Sequence, residues 1–546
     1  MKWIRSASLR PLFALGFALA ACSASEEDPA PLTTAETELG VANGMMTTEG
    51  VVAFLGLPFA EPPVDDLRFK PPVAISSWDS PLDASEFGPA CPQPVDAGTG
   101  TLYGDQSEDC LTLNVWTPSA DDAKRPVMVW VHGGGWIYEG TEDPLYSGAH
   151  LAARGDVVVV SMEYRLGVFG FSHFDGIPGS GNAGLLDQKL AFEWVRDHIE
   201  AFGGDPSNVT LFGESAGGMS ATALMAMPSA KGLFHKAIAQ SGAGSTARSV
   251  EYATAVSDKL MVAAGVSDVN GLLALSMEEL RAAQDLLVDD AFISDSLFGS
   301  VVDGEIFPKG PIQAIADGSA ADVPLLTGTT LNETRLWILY VPVLADISFD
   351  AIVALLPYGE RAIPEGKTAE DVIDLYESNR PGAEPGVITH AAGTDIFFRI
   401  PAIRLAEAQL AHQPNNTFLY RFHWPAPAPV VPDEDLGSPH ATELGFMFGS
   451  GNEPWLDIYG PDPLPKALTE QMMDAWLAFA KTGNPNHSEM PNWPAYDAST
   501  RATMTFDTAG ETLKSEVVND PDGSERVFWD GVHFDGVTPT WKPEDL

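Results

Sequence analysis

Short apolar runs separated by glycine and proline dominate the chain between residues 110 and 240. Pro126–Val131 and Val157–Ser161 are apolar at nearly every position, and Leu111–Trp116 and Lys236–Gln240 are further runs of strand length. A run without polar alternation is typical of a strand that is buried on both faces of a parallel sheet. We therefore predict strands at these four places, with another strand ending at Phe212.

Helical spacing of apolar residues alternates with these strands. Ala183–Phe202 is predicted to be an amphipathic helix that ends at Gly203, a residue typical of a helix C-cap. The apolar residues of its predicted inner face are Leu186, Leu190, Trp194 and Ile199. Further helical patterns cover 249–297, 349–410 and 468–479, and strands are predicted at 322–329 and 418–422, the latter as the last core strand. This alternation predicts an α/β protein with a doubly wound, mostly parallel sheet, in which helical excursions form a cap over the substrate pocket.

The N-terminal segment has the pattern of an export signal. Basic residues precede an apolar run that is too short to span a bilayer comfortably, so residues 1–21 are predicted to be a signal peptide. Leu19-Ala20-Ala21-Cys22 resembles a bacterial lipobox, in which the cysteine is lipidated and becomes the mature N-terminus. We expect Cys22 to anchor the protein in the cell envelope; the alternative is an ordinary cleaved signal and a secreted protein. Residues 22–38 are predicted to be a flexible tether, and 39–546 a single domain.

Charge and length narrow the range of partners. The 76 acidic residues exceed the 30 basic ones and give a formal net charge of −46, which argues against binding to nucleic acid or to an anionic membrane surface. A solvated, acidic surface is the simplest interpretation. No run after the signal is long and apolar enough to span a membrane, and we expect a monomer that acts on a small-molecule substrate.

Two of the three cysteines remain for a disulfide once Cys22 is assigned to lipid. Cys91 and Cys110 enclose a short segment rich in proline and glycine, and an exported protein meets an oxidising compartment. We expect them to pair. Two buried free thiols are the alternative.

A serine between two glycines follows the strand that ends at Phe212. Gly213-Glu214-Ser215-Ala216-Gly217 joins this strand to a run of small residues typical of a helix. The pattern predicts a nucleophile elbow, because a sharp strand-to-helix turn exposes the serine and leaves no room for side chains at the flanking positions. The helix N-terminus would also direct free N–H groups toward developing negative charge. The pattern is short, so a chance match is the alternative.

Three glycines follow the predicted strand Pro126–Val131. In His132-Gly133-Gly134-Gly135-Trp136 the backbone N–H groups can approach a ligand without side chains in the way, as an oxyanion hole requires. A flexible turn is the alternative. Because ligands of doubly wound sheets bind at the carboxyl ends of strands, this loop and Ser215 are expected to lie at the same edge.

Many further motifs, in order along the chain, resemble the type B carboxylesterase and cholinesterase-like family of α/β hydrolases, from about residue 39 to about residue 531. They are Phe59-Ala60-Glu61-Pro62-Pro63, Leu67-Arg68-Phe69, Glu108-Asp109-Cys110-Leu111-Thr112-Leu113-Asn114-Val115, Tyr164-Arg165-Leu166-Gly167, Phe202-Gly203-Gly204-Asp205-Pro206 and Lys481-Thr482-Gly483-Asn484-Pro485. The resemblance implies an α/β-hydrolase fold and a serine, glutamate and histidine triad in that chain order.

The implied triad consists of Ser215, Glu333 and His440. A serine hydroxyl becomes an effective nucleophile only when a base removes its proton, and a carboxylate must hold the imidazole in one tautomer. Of the eleven histidines, His440 lies in the loop that matches the family's catalytic histidine. Asp303 is a rival acid, which the resemblance places in a structural Val-Asp-Gly turn.

The resemblance also implies the surroundings of the triad. Gly134, Gly135 and Ala216 would donate the oxyanion N–H groups, and Cys91–Cys110 matches the family's first disulfide. Glu214, Trp136 and Tyr103 are expected to line the pocket. Cholinesterases carry a tryptophan within this disulfide loop, whereas here the loop offers only Tyr103, so a choline-ester site is not expected.

Together these features predict a serine esterase that forms an acyl-enzyme on Ser215 and uses neither a metal ion nor an organic cofactor. One alternative keeps the triad and changes the substrate to an amide, a carbamate or a natural-product ester. The other is a non-catalytic binding protein on the same fold, against which the presence of all three triad residues argues.

Overall fold

The computed structural model of the chain describes residues 30–94, 105–244, 247–290, 297–351, 363–427, 435–451, 457–460 and 462–532. The predicted signal peptide, Cys22 and Tyr103 lie outside these ranges. Within them, no helix has the length and apolarity that crossing a membrane requires.

Eleven strands form the main sheet in the order β18-β15-β14-β13-β10-β9-β7-β8-β6-β4-β3. The strands of the chain are β1 Thr34–Thr37, β2 Gly40–Asn43, β3 Met45–Met46, β4 Val52–Pro58, β5 Leu82–Asp83, β6 Thr112–Thr117, β7 Arg125–Val131, β8 Val158–Met162, β9 Gly204–Glu214, β10 Lys236–Gln240, β11 Arg248–Ser249, β12 Val301–Val302, β13 Leu325–Thr330, β14 Thr417–Phe422, β15 Ala502–Phe506, β16 Thr508–Ala509, β17 Thr512–Leu513 and β18 Glu516–Asn519. The central strands from β8 to β15 are all parallel, and the two ends of the sheet are antiparallel. The predicted doubly wound, mostly parallel sheet is confirmed.

Helices pack on both faces of this sheet. They are α1 Ala149–Gly155, α2 Gly167–Phe171, α3 Ala183–His198, α4 Ala216–Ala226, α5 Val250–Ala263, α6 Val269–Leu273, α7 Met277–Asp290, α8 Pro311–Ala316, α9 Ala369–Asn379, α10 Pro385–Thr394, α11 Ile400–Leu410, α12 Leu444–Phe448, α13 Lys466–Thr482 and α14 Gly523–Phe528. The long helices α3 and α13 cover opposite faces, since Phe192 belongs to the core of one face and Trp476 to that of the other.

Strand β7 shows why the apolar runs have no polar alternation. Val127, Val129 and Val131 pack into the core on one face, whereas Met128 and Trp130 pack into the core on the other. Successive side chains of a strand point to opposite faces, so a strand with helices on both faces must be apolar at every position.

Several features differ from the sequence-based expectations. The helix predicted at Ala183–Phe202 is α-helical only to His198 and continues as a 3₁₀ turn, Ile199–Phe202. The predicted tether 22–38 is too long, because β1 pairs with β2 and buries Ala35. Strand β14 is not the last core strand, since β15 pairs with it in parallel. The threonines of β15 alternate with apolar residues, and this pattern is not the continuous apolar run by which the other core strands were recognised.

Candidate active site

The serine lies at a sharp turn between β9 and α4. Ser215 has φ 56° and ψ −125°, a strained conformation for a residue with a side chain, and its N–H donates to Gln240 O at 2.9 Å. A Cβ on Gly217 would lie 2.0 Å from Val131 O, and one on Gly213 would lie 2.5 Å from Gly217 C. Both glycines are therefore required for the close backbone packing that a nucleophile elbow needs.

Glu333 and His440 meet although 107 positions separate them in the chain. His440 Nδ1 lies 2.6 Å from Glu333 Oε2, and the backbone N–H of His440 donates to the backbone carbonyl oxygen of Glu333 at 3.2 Å. Glu333 Oε1 in turn accepts from Ser241 Oγ and from Thr330 N, each at 2.7 Å. The carboxylate is thus held by several donors, and it can fix the tautomer and orientation of the imidazole.

The other imidazole nitrogen faces the elbow. His440 Nε2 lies 3.1 Å from Glu214 Oε1, the carboxyl of the residue immediately before Ser215. Among the described residues, no hydrogen bond joins Ser215 Oγ to the imidazole. The contact with Glu214 nevertheless places Nε2, the nitrogen that a general base would use, beside the elbow.

Buried carboxyl groups set the proton affinity of this histidine. Burial by itself would lower the pKa of His440, but the negative charges of Glu214 and Glu333 outweigh it and raise the pKa to about 10. Burial raises the pKa of Glu214 well above its usual range, and burial together with Glu333 raises that of Glu443 to about 7. The protonation of His440 therefore depends on the charge of the carboxyl groups around it.

Two aromatic rings cover the imidazole. Trp337 stacks on His440 with the ring centroids 5.5 Å apart and an interplanar angle of 23°, and Phe398 packs against it at 4.9 Å. Phe398 lies in a π-helical turn, Asp395–Arg399, between α10 and α11. Such π-helical turns occur frequently at functional sites. Sequence reasoning missed both rings, because nothing in the chain marks an aromatic residue that will contact a distant histidine.

The glycine loop turns directly against the nucleophile. It forms a 3₁₀ turn, Gly134–Trp136, in which Gly134 has φ 76° and Gly135 has φ 62°. A Cβ on Gly133 would lie 3.2 Å from Ser215 Cβ, so any larger residue would crowd the serine. Ala216 begins α4 immediately after the serine. The three proposed oxyanion donors thus lie on segments that meet at Ser215.

Trp136 is 2% exposed and donates its indole N–H to Ser220 Oγ at 2.9 Å. These contacts tie the glycine loop to α4. The prediction that Trp136 also lines the pocket stays a prediction. The same holds for Tyr103, which lies outside the described residues.

Other expected residues can be followed in the structure. Cys91 and Cys110 form the expected disulfide. Asp303 accepts the backbone N–H groups of three following residues in a turn, so the rival acid has a structural role: the donors are Glu305, Ile306 and Phe307. Within the described ranges, no cluster of histidine, cysteine or acidic side chains has the arrangement of a metal site.

Ser241 is the supporting residue that the sequence could have revealed. It directly follows β10, and β10 pairs with β9 so that Gln240 lies beside Glu214. A polar residue at the end of a strand next to the elbow strand is a candidate for the same site.

Known proteins resemble this chain over most of its length. A sequence model described as "Carboxylesterase family" matches residues 32–522. The para-nitrobenzyl esterase of Bacillus subtilis (strain 168) is 40% identical over 500 residues, which cover 90% of this chain and 97% of that protein. The phenmedipham hydrolase of Pseudarthrobacter oxydans is 32% identical over 508 residues, which cover 90% and 99%. The crystal structure of the Geobacillus stearothermophilus carboxylesterase EST55 at pH 6.2 matches with a TM-score of 0.80 and 36% identity, over 91% of this chain and all of that one.

Proposed function

Because this chain belongs to the carboxylesterase family and is a carboxylic ester hydrolase with the α/β-hydrolase fold, we propose that Ser215, Glu333 and His440 form its catalytic triad. The observation that carries this proposal is the position of His440, whose Nδ1 lies 2.6 Å from Glu333 and whose Nε2 faces the residue beside Ser215.

The proposed reaction follows from this arrangement. His440 Nε2 takes the proton of Ser215 Oγ as the oxygen attacks the ester carbonyl, and Glu333 stabilises the imidazolium. Gly134, Gly135 and Ala216 donate N–H groups to the resulting oxyanion. The imidazolium then protonates the departing alcohol, which leaves an acyl group on Ser215. Water then attacks the acyl carbon as the same imidazole takes its proton, and the imidazolium returns this proton to Ser215 Oγ as the acid leaves.

Glu214 is proposed to line the pocket beside the reacting groups. Its carboxyl lies next to Nε2, the nitrogen that must receive the serine proton. Before the reaction begins, Ser215 Oγ has to replace the Glu214 carboxyl beside His440 Nε2. A small change in the side-chain angles of Glu214 and Ser215 is therefore part of the proposal.

Replacement of the serine tests the triad. Ser215→Ala is expected to lower the hydrolysis of p-nitrophenyl and p-nitrobenzyl esters by at least about 10⁴-fold and to abolish labelling by a fluorophosphonate. Ser229→Ala is the control, because Ser229 is an exposed serine in the turn after α4. Full ester hydrolysis by Ser215→Ala would refute the triad.

A different substrate on the same triad is the second candidate function. Similarity to a phenmedipham hydrolase favours it, since that protein is 32% identical over 508 residues, which cover 99% of its length. A panel of carboxylic esters, amides, carbamates and phenmedipham, compared by kcat/KM, ranks these classes. If kcat/KM is higher for another class than for carboxylic esters, that class is the preferred substrate.

We propose that the enzyme is exported and attached to the cell envelope by lipid on Cys22, and that its catalytic unit is a monomer. The support is the basic and apolar pattern of the first residues and the lipobox-like Leu19-Ala20-Ala21-Cys22. Cys22→Ser should move the protein from the membrane fraction to the soluble fraction and shift the mass of the mature N-terminal peptide. An unmodified Cys22 in the purified mature protein would contradict lipidation and leave secretion as the alternative.

A further inference from the structure

Two side chains hold consecutive peptide groups of the glycine loop. The Tyr164 hydroxyl lies 3.0 Å from His132 O and 3.2 Å from Gly133 O, and it donates its proton between them. On the other side, the Gly133 N–H donates to Glu139 Oε2 at 3.1 Å. Hydrogen bonds therefore fix the loop at two carbonyl oxygens, which face Tyr164, and at one N–H, which faces Glu139.

The direction of a held carbonyl determines the direction of the N–H in the same peptide group. A trans peptide is planar, with its C=O and N–H pointing in opposite directions. The peptide between His132 and Gly133 is held at both ends, by Tyr164 and Glu139. In the next peptide, the contact between Tyr164 and Gly133 O directs the Gly134 N–H away from the tyrosine.

The loop needs such support because of its composition. Glycine adopts positive and negative φ with similar ease, so a run of three glycines has little intrinsic preference for one orientation of its peptides. The same freedom that lets N–H groups approach a substrate allows them to rotate away. A preorganised oxyanion hole therefore requires contacts from outside the loop.

Tyr164 is well placed and chemically suited to this role. It lies two residues beyond the end of β8, which is paired in parallel with β7 so that Met162 lies beside Val131. The tyrosine is fully buried, and its ring stacks on His132 with centroids 4.4 Å apart. Burial, with the nearby charges of Glu139 and Glu163, raises the pKa of Tyr164 well above its usual range, so the hydroxyl stays a donor.

Glu139 is itself held in place. Gln93 donates from Nε2 to Glu139 O at 2.9 Å and accepts the Glu139 N–H at 3.0 Å. Tyr146 donates its hydroxyl to Glu139 Oε2 at 2.7 Å. Since Gln93 lies two residues from Cys91, the disulfide segment holds the backbone of Glu139, while Tyr146 holds its carboxylate.

We propose that Tyr164 and Glu139 are positioning residues of the oxyanion hole, which orient the Gly134 N–H toward the oxygen of the tetrahedral intermediate. The proposal rests on the catalytic role of Ser215 proposed above. Neither residue touches the reacting atoms; both act through the glycine loop.

Removal of one hydroxyl tests the role of Tyr164. Tyr164→Phe keeps the ring against His132, and we expect kcat for a p-nitrophenyl ester to fall about 10-fold to 100-fold, up to the loss seen when one oxyanion donor is removed, with KM nearly unchanged. A trifluoromethyl ketone, which forms an oxyanion with the serine, should bind more weakly by a similar factor. Tyr496→Phe is the matched control, because Tyr496 is equally buried and packs in a different core.

A pair of substitutions tests Glu139 independently. Glu139→Ala removes the acceptor for the Gly133 N–H and should lower kcat and the affinity for the ketone together. Glu139→Gln keeps an oxygen that can accept this N–H and should restore most of both. This pair also decides the proposal if Tyr164→Phe does not fold, since Glu139 is only half-buried.

The outcomes separate this proposal from the triad. If Ser215→Ala is inactive while folded Tyr164→Phe and Glu139→Ala keep the wild-type kcat and ketone affinity, the positioning role is wrong and the triad stands. If Ser215→Ala stays active, the triad itself is wrong. A rise in KM and a fall in thermal stability, without a selective fall in kcat, would also overturn the positioning role.

Discussion

His440 lies between two carboxyl groups, one on each ring nitrogen. Glu333 meets Nδ1, as a residue that orients a general base should, while Glu214 lies beside Nε2. A second negative charge stabilises the imidazolium, and a base that stays protonated cannot accept the serine proton. Burial raises the pKa of Glu214 and so favours its neutral form, in which it adds no charge that would keep the imidazole protonated.

Neutralising Glu214 should shift the pH profile of the enzyme. The pKa of His440 is raised in part by the charge of Glu214, so Glu214→Gln lowers this pKa and the free imidazole is available at lower pH. We expect the acidic limb of kcat/KM to move to lower pH, as measured by initial rates at closely spaced pH values.

Glu305→Gln is the control for this shift, because it removes one carboxyl charge from an exposed turn. A limb that stays in place or moves to higher pH in Glu214→Gln would show that Glu214 does not stabilise the imidazolium.

At the level of elements, the site depends on close backbone contact between the end of β7 and the start of α4. Gly217 lies where a side chain would meet Val131 O at 2.0 Å, and Val131 directly precedes the glycine loop. The elbow and the oxyanion loop are therefore a single packed unit, and a change in one displaces the other.

Gly217→Ala should damage both stability and activity. The added methyl group forces the backbones apart, at a cost of about 1–3 kcal/mol or more in the free energy of unfolding. Displacement of the start of α4 should also lower kcat by at least about 100-fold, since small misplacements of reacting groups have effects of this size. Guanidinium unfolding and ester hydrolysis measure the two effects.

Gly304→Ala provides the comparison. Gly304 has φ +79° and no atom within 4 Å of an added Cβ, so its substitution should cost about 1 kcal/mol through backbone strain and leave kcat unchanged. Equal activity of the two variants would contradict the single packed unit.

At the level of the whole molecule, the dominant electrostatic feature is the formal net charge of −46. Some buried acidic residues are paired with arginine, as in Arg165–Asp187 with 2.6 Å between Nη2 and Oδ1. Self-repulsion of surface charge destabilises a compact state, and salt screens it over a distance of about 8 Å at physiological ionic strength.

Added salt should therefore stabilise the protein. The midpoint of thermal unfolding is expected to rise between low salt and about 0.5 M chloride, where the screening length is only several ångströms. Sodium and potassium chloride should act equally, because screening depends on ionic strength. A fall in the midpoint, or a rise with only one of the two salts, would exclude screening as the cause.

Much of this architecture follows from local patterns. The continuous apolar runs predict the central strands, because burial on both faces imposes that composition wherever the strand lies. Gly213, Ser215 and Gly217 likewise mark the elbow, since the steric demands of a sharp turn act on adjacent residues. The edge strand β1 and the alternating β15 were missed because short or alternating strands depend on their neighbours for stability.

The sequence by itself determined the parallel sheet, the elbow serine and the glycine loop, each through constraints that act over a few neighbouring residues. Only the tertiary structure decided that Glu214 and Glu333 lie on opposite sides of His440, that Trp337 and Phe398 cover its ring, and that Tyr164 grips the glycine loop. These contacts join residues from distant segments, and their distances depend on how strands, helices and loops pack. No local pattern encodes these contacts, because the position of each partner depends on segments that lie far apart in the chain.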